Sequence, residues 1–167
     1  MNVIDLTAQL AIHRRRSRRR ASDIGFIVIH HTASPKGTTP YQVHGWHLST
    51  THILSDGTRV RGKGMGYHAY IQADINQAFK CLPDLVIGCH SRGMNTPSIG
   101  ICVSGDYQAQ EPPDPVLDTL YELIKHYKTA YPAALVRGHR EMRFSHTLCP
   151  GRFLHEVIVN WRKAGTI

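Results

Sequence analysis

Acidic side chains are scarce in this chain: twelve Asp and Glu stand against twenty Lys and Arg, leaving a formal charge of +8 over 167 residues. Long apolar runs are absent, and nothing approaches the roughly 20 consecutive apolar residues that cross a bilayer. The opening stretch, MNVIDLTAQLAIHRRRSRRR, carries its charge after a short apolar part broken by Asp5 and Gln9, the reverse of a secretory signal. Cysteine is sparse, at four. Without an export signal the expected setting for synthesis is reducing, so Cys81, Cys89, Cys102 and Cys149 read as packing or metal-binding residues before disulfides. Cys102 lies in the apolar run SIGICVSG and reads as a small core residue.

What is present is enough for one folded domain. An apolar fraction of 41% excludes wholesale disorder, and a chain of this length buries roughly 70% of its unfolded surface. The positive charge is concentrated. Arg14, Arg15, Arg16, Arg18, Arg19 and Arg20 supply six of the surplus positives, and the rest of the chain is nearly neutral. The expected organisation is therefore a basic arm over residues 1–22 followed by a domain over 23–167. Such an arm suits an anionic wall or membrane polymer. It lacks interleaved aromatics, so no specific nucleic acid is expected.

The apolar pattern predicts strands and helices in alternation. Phe26 to His31 is a β-branched run ended by turn residues at Ser34 to Gly37. Thr39-Pro40 starts a helix that runs to about Leu48. Residues 49–66, with Asp56-Gly57, read as an irregular excursion or small hairpin. Tyr67 to Ala73 and Ser98 to Ser104 are further strands. Val116, Leu117, Leu120, Leu123, Ile124 and Tyr127 form one helical stripe behind Asp114-Pro115. Ala134 to Arg137 and Phe153 to Trp161 complete the series as a strand and a helix. The expected fold is α/β, a single mixed central sheet flanked by helices.

Histidine is in excess, at twelve. His30 ends a strand, and His139 and Cys149 lie in GHREMRFSHTLCPG after another. Two imidazoles and one thiolate are a ligand set that catalytic zinc accepts, but nine residues between His139 and Cys149 make spacing alone weak evidence. His30 and His31 are adjacent on a strand and face opposite sides, so one of them at most reaches a given metal.

Five pieces occur in order: IVIHHTA at Ile27 to Ala33, Gly66-Tyr67-His68, Ser98 to Ile101, Gly138 to Glu141, and Thr147-Leu148-Cys149-Pro150-Gly151. Together they resemble the N-acetylmuramoyl-L-alanine amidase type 2 family, which includes phage lysis amidases and the animal peptidoglycan recognition proteins. The resemblance covers about Asp23 to Leu154, and a short basic lead-in is also similar to phage and bacterial members. It implies Zn2+ held by His30, His139 and Cys149, Tyr67 beside the reacting water, and His90 and Asn95 along a peptidoglycan groove. It implies cleavage between N-acetylmuramic acid and L-alanine, as in a phage or prophage endolysin that waits in the host cytoplasm until lysis and acts as a monomer. Thr147 stands where many phage members carry a lysine and where the recognition branch commonly has threonine, which makes it a second catalytic candidate. The His139–Cys149 loop looks about two residues longer than usual, and residues 49–66 form an insertion expected to border the cleft.

Other readings remain. A non-catalytic peptidoglycan-binding protein of the recognition type would share the fold, and a nucleic-acid or polymerase-binding regulator is suggested only by the arginines. Glu141 reads as loop structure and His31 as a packing residue. His44, Trp46, His47 and His52 read as surface or packing residues.

Overall fold

The computed structural model describes residues 2–10, 16–53 and 57–167. Its centre is a six-stranded sheet of β1 (Val3–Asp5), β2 (Phe26–His31), β5 (Ala69–Gln72), β6 (Gln77–Lys80), β7 (Ser98–Val103) and β8 (Leu135–Gly138). The strand order is β1-β6-β5-β7-β2-β8. Only β5 and β6 run antiparallel; every other neighbouring pair is parallel. A separate hairpin of β3 (Thr51–Ile53) and β4 (Arg59–Arg61) is the insertion. Three helices, α1 (Pro40–Ser49), α2 (Asp114–Ala130) and α3 (Arg152–Lys163), flank the sheet.

The two faces of the central strands are distinct because side chains alternate. Ile27, Ile29, Ile99, Ile101 and Val103 pack with Val116, Leu120, Ile124, Leu154 and Ile158, the buried faces of α2 and α3. Removing that apolar surface from water is the main force holding the helices down, at about 1.5–3 kcal/mol per fully buried side chain. The opposite face carries His30, and there Cys102 and Tyr70 pack with Leu6, Leu10, Val43 and Met65. Thr39 caps α1 as expected, accepting from Gln42 N at 3.2 Å. For α2 the boundary shifts by one residue: Pro113 occupies the cap and Asp114 opens the helix.

Two strands escaped the sequence reading. The three-residue β1 and four-residue β6 are too short to show a period, and only pairing at one edge of the sheet makes them strands.

The expected basic arm is corrected. Residues 2–10 join the sheet and bury Leu6 and Leu10, and residues 16–20 run against the 84–87 segment through Arg19 N to Leu85 O and Ile87 N to Ser17 O. Arg19 is only 7% exposed. Its guanidinium donates to the carbonyls of Asp84, Asn95, Thr96 and Ser98 at 2.6–2.9 Å. Arg16 donates to the carbonyls of Lys63, Gly64 and Met65. Composition reveals surplus charge and not its hydrogen-bond partners, so these internal contacts left no trace in the sequence. Arg18 and Arg20 are exposed, while Arg14 and Arg15 lie outside the described residues.

A buried guanidinium that satisfies four carbonyls cannot be replaced by an apolar chain without leaving acceptors unpaired. Arg19→Met should therefore destabilise the fold by about 3 kcal/mol, whereas Arg18→Met should change stability by less than about 0.5 kcal/mol. Urea unfolding of both variants checks the contrast; equal midpoints would refute the brace.

Candidate metal centre and groove

The parallel strands β7, β2 and β8 end on one edge of the sheet, and the candidate donors gather there. His30 is the fifth residue of β2 and is buried. Strand β8 ends at Gly138, and the next residue, His139, opens a single 3₁₀ turn over His139–Glu141. That turn is held by Glu141, which accepts from Gly138 N at 2.6 Å and from the Arg162 guanidinium of α3 at 2.7 Å. Glu141 thus anchors the loop, as its sequence context suggested. Cys149 returns the loop to the same place: its carbonyl accepts from Arg140 N, and its own N–H donates to Thr147 Oγ1 at 3.1 Å.

Ligand atoms of His30, His139 and Cys149 all lie within 4.8 Å of one another, the sole such trio of metal-binding side chains among the described residues. His30 Nδ1 is 3.6 Å from Cys149 Sγ. Zinc bonds of about 2.0–2.1 Å to nitrogen and 2.3 Å to sulfur put adjacent tetrahedral N and S ligands roughly 3.6 Å apart. The donors present therefore fit zinc in both type and spacing. His31 N donates to Cys149 Sγ at 3.4 Å, a contact that favours thiolate. The His31 ring faces the other way and accepts from Tyr107 N through Nδ1. His31 thus serves the site through its backbone.

Burial sets the protonation of this cluster. It holds the His30 imidazole well below the usual range, with the neighbouring His90 and His139 adding to the effect. Burial likewise lowers His139 and brings His90 down to about 3. The Cys149 thiol is pushed up to about 12 by burial, against the opposing His31 amide. Neutral imidazoles keep their lone pairs for a metal; the thiol gives up its proton when a cation binds.

Tyr67 sits beside the trio, with its ring centroid 5.1 Å from that of His30 and 5.4 Å from that of His47. Burial raises its phenol well above the ordinary value, so it is a hydrogen-bond donor and not a phenolate. The Thr147 hydroxyl accepts from Cys149 N and so shapes the turn that presents the thiol. Asn95 does the same for its own loop, with Oδ1 accepting from the N–H groups of His90 and Ser91 at 2.8 Å each. His90 turns inward: its Nδ1 lies 3.0 Å from His30 Nε2.

A cavity of about 1060 Å³ opens next to these groups, and Tyr67, His90 and Asn95 line it. Thr51, Val60, Arg61 and Lys63 form part of its wall, so the 49–66 insertion borders the cleft as expected. Arg16, Arg61, Lys63 and Arg92 line the cavity and no acidic side chain does among the described residues. The sequence reading missed this basic lining, and it missed His44 and His47. Those two lie one helical turn apart on α1, and their Nδ1 atoms accept from Met65 N and Gly66 N, which fixes the chain entering Tyr67. The i, i+3 spacing of the pair was the available signal.

Comparisons with known proteins agree with this geometry. The family model described as N-acetylmuramoyl-L-alanine amidase matches residues 20–152. The curated Peptidoglycan-recognition protein LB of Drosophila melanogaster is 30% identical over 144 residues, covering 81% of this chain and 58% of that protein. Among solved structures, the Ph2119 endolysin from Thermus scotoductus MAT2119 bacteriophage Ph2119 superposes with a TM-score of 0.78 at 26% identity, covering 95% of this chain and 97% of that one. A Drosophila PGRP-LB mutant in complex with tracheal cytotoxin shares the fold, with a TM-score of 0.73 at 24% identity over 95% and 94% of the two chains.

If the trio holds a metal, its affinity depends on all three donors. The purified chain should take up one equivalent of zinc in competition with a chromophoric chelator. His139→Ala and Cys149→Ala should each weaken zinc binding by at least 100-fold, beyond the 10–100-fold typical of losing an outer hydrogen bond. Undiminished binding by either variant would place the metal elsewhere.

Proposed function

From its place in the N-acetylmuramoyl-L-alanine amidase family, to which the chain belongs, we propose that it is a zinc-dependent peptidoglycan hydrolase. The bond cut is the amide between N-acetylmuramic acid and the L-alanine that begins the stem peptide, and the biological role is that of a phage or prophage endolysin. The observation that carries this reading is the His30, His139 and Cys149 trio beside Tyr67, which in turn lines an open basic cavity.

Zinc on two neutral imidazoles and one thiolate keeps a net +1 and supplies the power to polarise a carbonyl and acidify water. The protein's own residues do the rest. Tyr67, a protonated phenol beside His30, would donate a hydrogen bond to the carbonyl oxygen as negative charge develops on it. Thr147 orders the Cys149 turn; its hydroxyl proton is available for a second hydrogen bond to the substrate. His47 lines the cavity and, by holding Gly66, steadies the tyrosine's backbone. The insertion hairpin and the 88–95 loop both contribute to the cavity lining, through Arg61 and Arg92 among others.

That charge suits the substrate class. Stem peptides carry free carboxylates, and a basic cleft with no acid in its described lining attracts them and raises their local concentration. The recognition-type reading, binding without cleavage, shares the fold but gives no role to a retained donor trio next to a phenol. For the regulator reading, the loss of Arg16 and Arg19 to internal carbonyls leaves little basic arm to act with. Contacts with anionic wall polymers would fall to exposed residues such as Arg18 and Arg20, and the proposed place of action is the cell wall after release from the host cytoplasm.

Digestion of purified peptidoglycan followed by mass analysis tests the proposal. The expected products are peptides with a free L-alanine amino terminus and intact glycan strands, lost after zinc removal and restored by its return. Cleavage at another bond would overturn the reaction, and retention of fragments without cleavage would favour recognition. A second measurement addresses the groove: neutralising Arg61 and Arg92 together, as Gln, should raise KM for carboxylate-bearing stems about fivefold and reduce its salt dependence, with little change in kcat. A KM indifferent to both salt and the double variant would dismiss the electrostatic role.

A further inference from the structure

Proteins that bind zinc through histidine usually fix the ring by a hydrogen bond at its other nitrogen, because the proton must sit on the nitrogen away from the metal. Among the described residues the nitrogen opposite the candidate metal face of His30 meets no carboxylate and no backbone carbonyl. It meets a second histidine, His90, at 3.0 Å. A histidine partner is ambiguous, since either ring could hold the shared proton. What resolves the ambiguity lies two residues further out.

Ser98 Oγ is 2.5 Å from the carbonyl oxygen of Met94. A carbonyl only accepts, so the one hydroxyl proton of Ser98 is committed there. Ser98 Oγ faces His90 Nε2 at 3.4 Å and has only lone pairs left to offer it. His90 Nε2 therefore carries the proton and His90 Nδ1 is bare. The bare Nδ1 accepts from His30 Nε2–H, which leaves the His30 Nδ1 lone pair on the side of Cys149 Sγ, 3.6 Å away. The polarity thus runs one way from a backbone carbonyl to the metal-facing atom.

The ring of His90 has little freedom to leave this chain. It lies against Gly100 in β7, where an added Cβ would come within 2.7 Å of its Cγ. It meets His30 and His68 edge-on, at centroid separations of 5.0 and 5.8 Å. Its backbone is tied by Asn95 Oδ1, and the Arg19 guanidinium holds the Asn95, Thr96 and Ser98 carbonyls.

We propose that His90 is a positioning residue for the metal centre, which with Ser98 and the Met94 carbonyl fixes the tautomer and orientation of His30 so that Nδ1 faces the metal. His90 also lines the cavity, so this role is added to the groove contact that the family resemblance implied, and it rests on the zinc reading of the site. The inference gives Gly100 a purpose as well, since only a residue without a Cβ leaves room for the ring.

The test measures zinc affinity by chelator competition, with the d–d spectrum of the cobalt-substituted protein as a geometric signature. His90→Phe keeps a ring over Gly100 but removes the acceptor, and should weaken zinc binding 10–100-fold and alter the cobalt spectrum. His90→Asn offers Oδ1 near the position of Nδ1, and should bind zinc within about threefold of the parent by restoring that one outer hydrogen bond. Ser98→Ala leaves the His90 ring in place and unlocks its tautomer; a loss of several-fold is expected, which keeps the test available should His90→Phe not fold. Parent-like affinity in both His90→Phe and Ser98→Ala, or equal weakness in His90→Phe and His90→Asn, would overturn the assignment. A parent chain that takes up no zinc would instead overturn the function proposed above, together with this role.

Discussion

Parallel pairing of β2 with both of its neighbours is the constraint on which the site depends. The register places His30 opposite Cys102 of β7 and Ile29 opposite Gly138 of β8. Three chain ends therefore emerge on the same edge of the sheet, within reach of a shared point, before any side chain is chosen. Open α/β sheets place ligands outside the carboxyl ends of their strands for this reason. A one-residue slip of β2 would exchange His30 for His31 on the metal-facing side and put Ile27 and Ile29 into the polar layer. Burial of those isoleucines against α2 and α3 thus holds the histidine in place from the opposite face of the sheet.

Charge in this molecule does two separate jobs, and burial decides which. The Arg19 guanidinium sits inside and that of Arg16 half-buried at the cavity rim, and their hydrogen bonds to carbonyls join the amino-terminal segment to the 63–65, 84 and 95–98 stretches. An interior charge is tolerated only when so satisfied, and each such contact is then stronger than one at the surface. Arg61 and Arg92 stay exposed in the cavity lining, where they add little to stability and act on whatever enters. Net charge, the most visible property of the sequence, belongs mostly to neither chemistry nor fold recognition.

Much of the architecture was legible beforehand for a physical reason. The strand Phe26–His31, the capped helix at Thr39 and the stripe on α2 each carry a local pattern strong enough to stand without tertiary help. The short strands β1 and β6 carry none, and neither did the partners of the buried arginines, which are carbonyls and have no side-chain signature. At the site, His30, His139 and Cys149 were found through ordered motifs over more than a hundred residues, not through spacing. The contact of His90 with His30 was invisible, because nothing in GCHSRGMNTPSIG signals that a ring lining the groove also meets another ring.

Low dielectric surroundings connect these observations. Burial keeps His30, His90 and His139 neutral and Cys149 protonated, so the cluster alone offers no charge to a substrate. A proton on any of those rings would meet desolvation and the neighbouring imidazoles together, which disfavours an imidazolium there. A cation bound by a thiolate and two neutral rings meets a smaller penalty, because one of its two charges is cancelled at contact. The burial that keeps these rings neutral leaves their lone pairs for a metal.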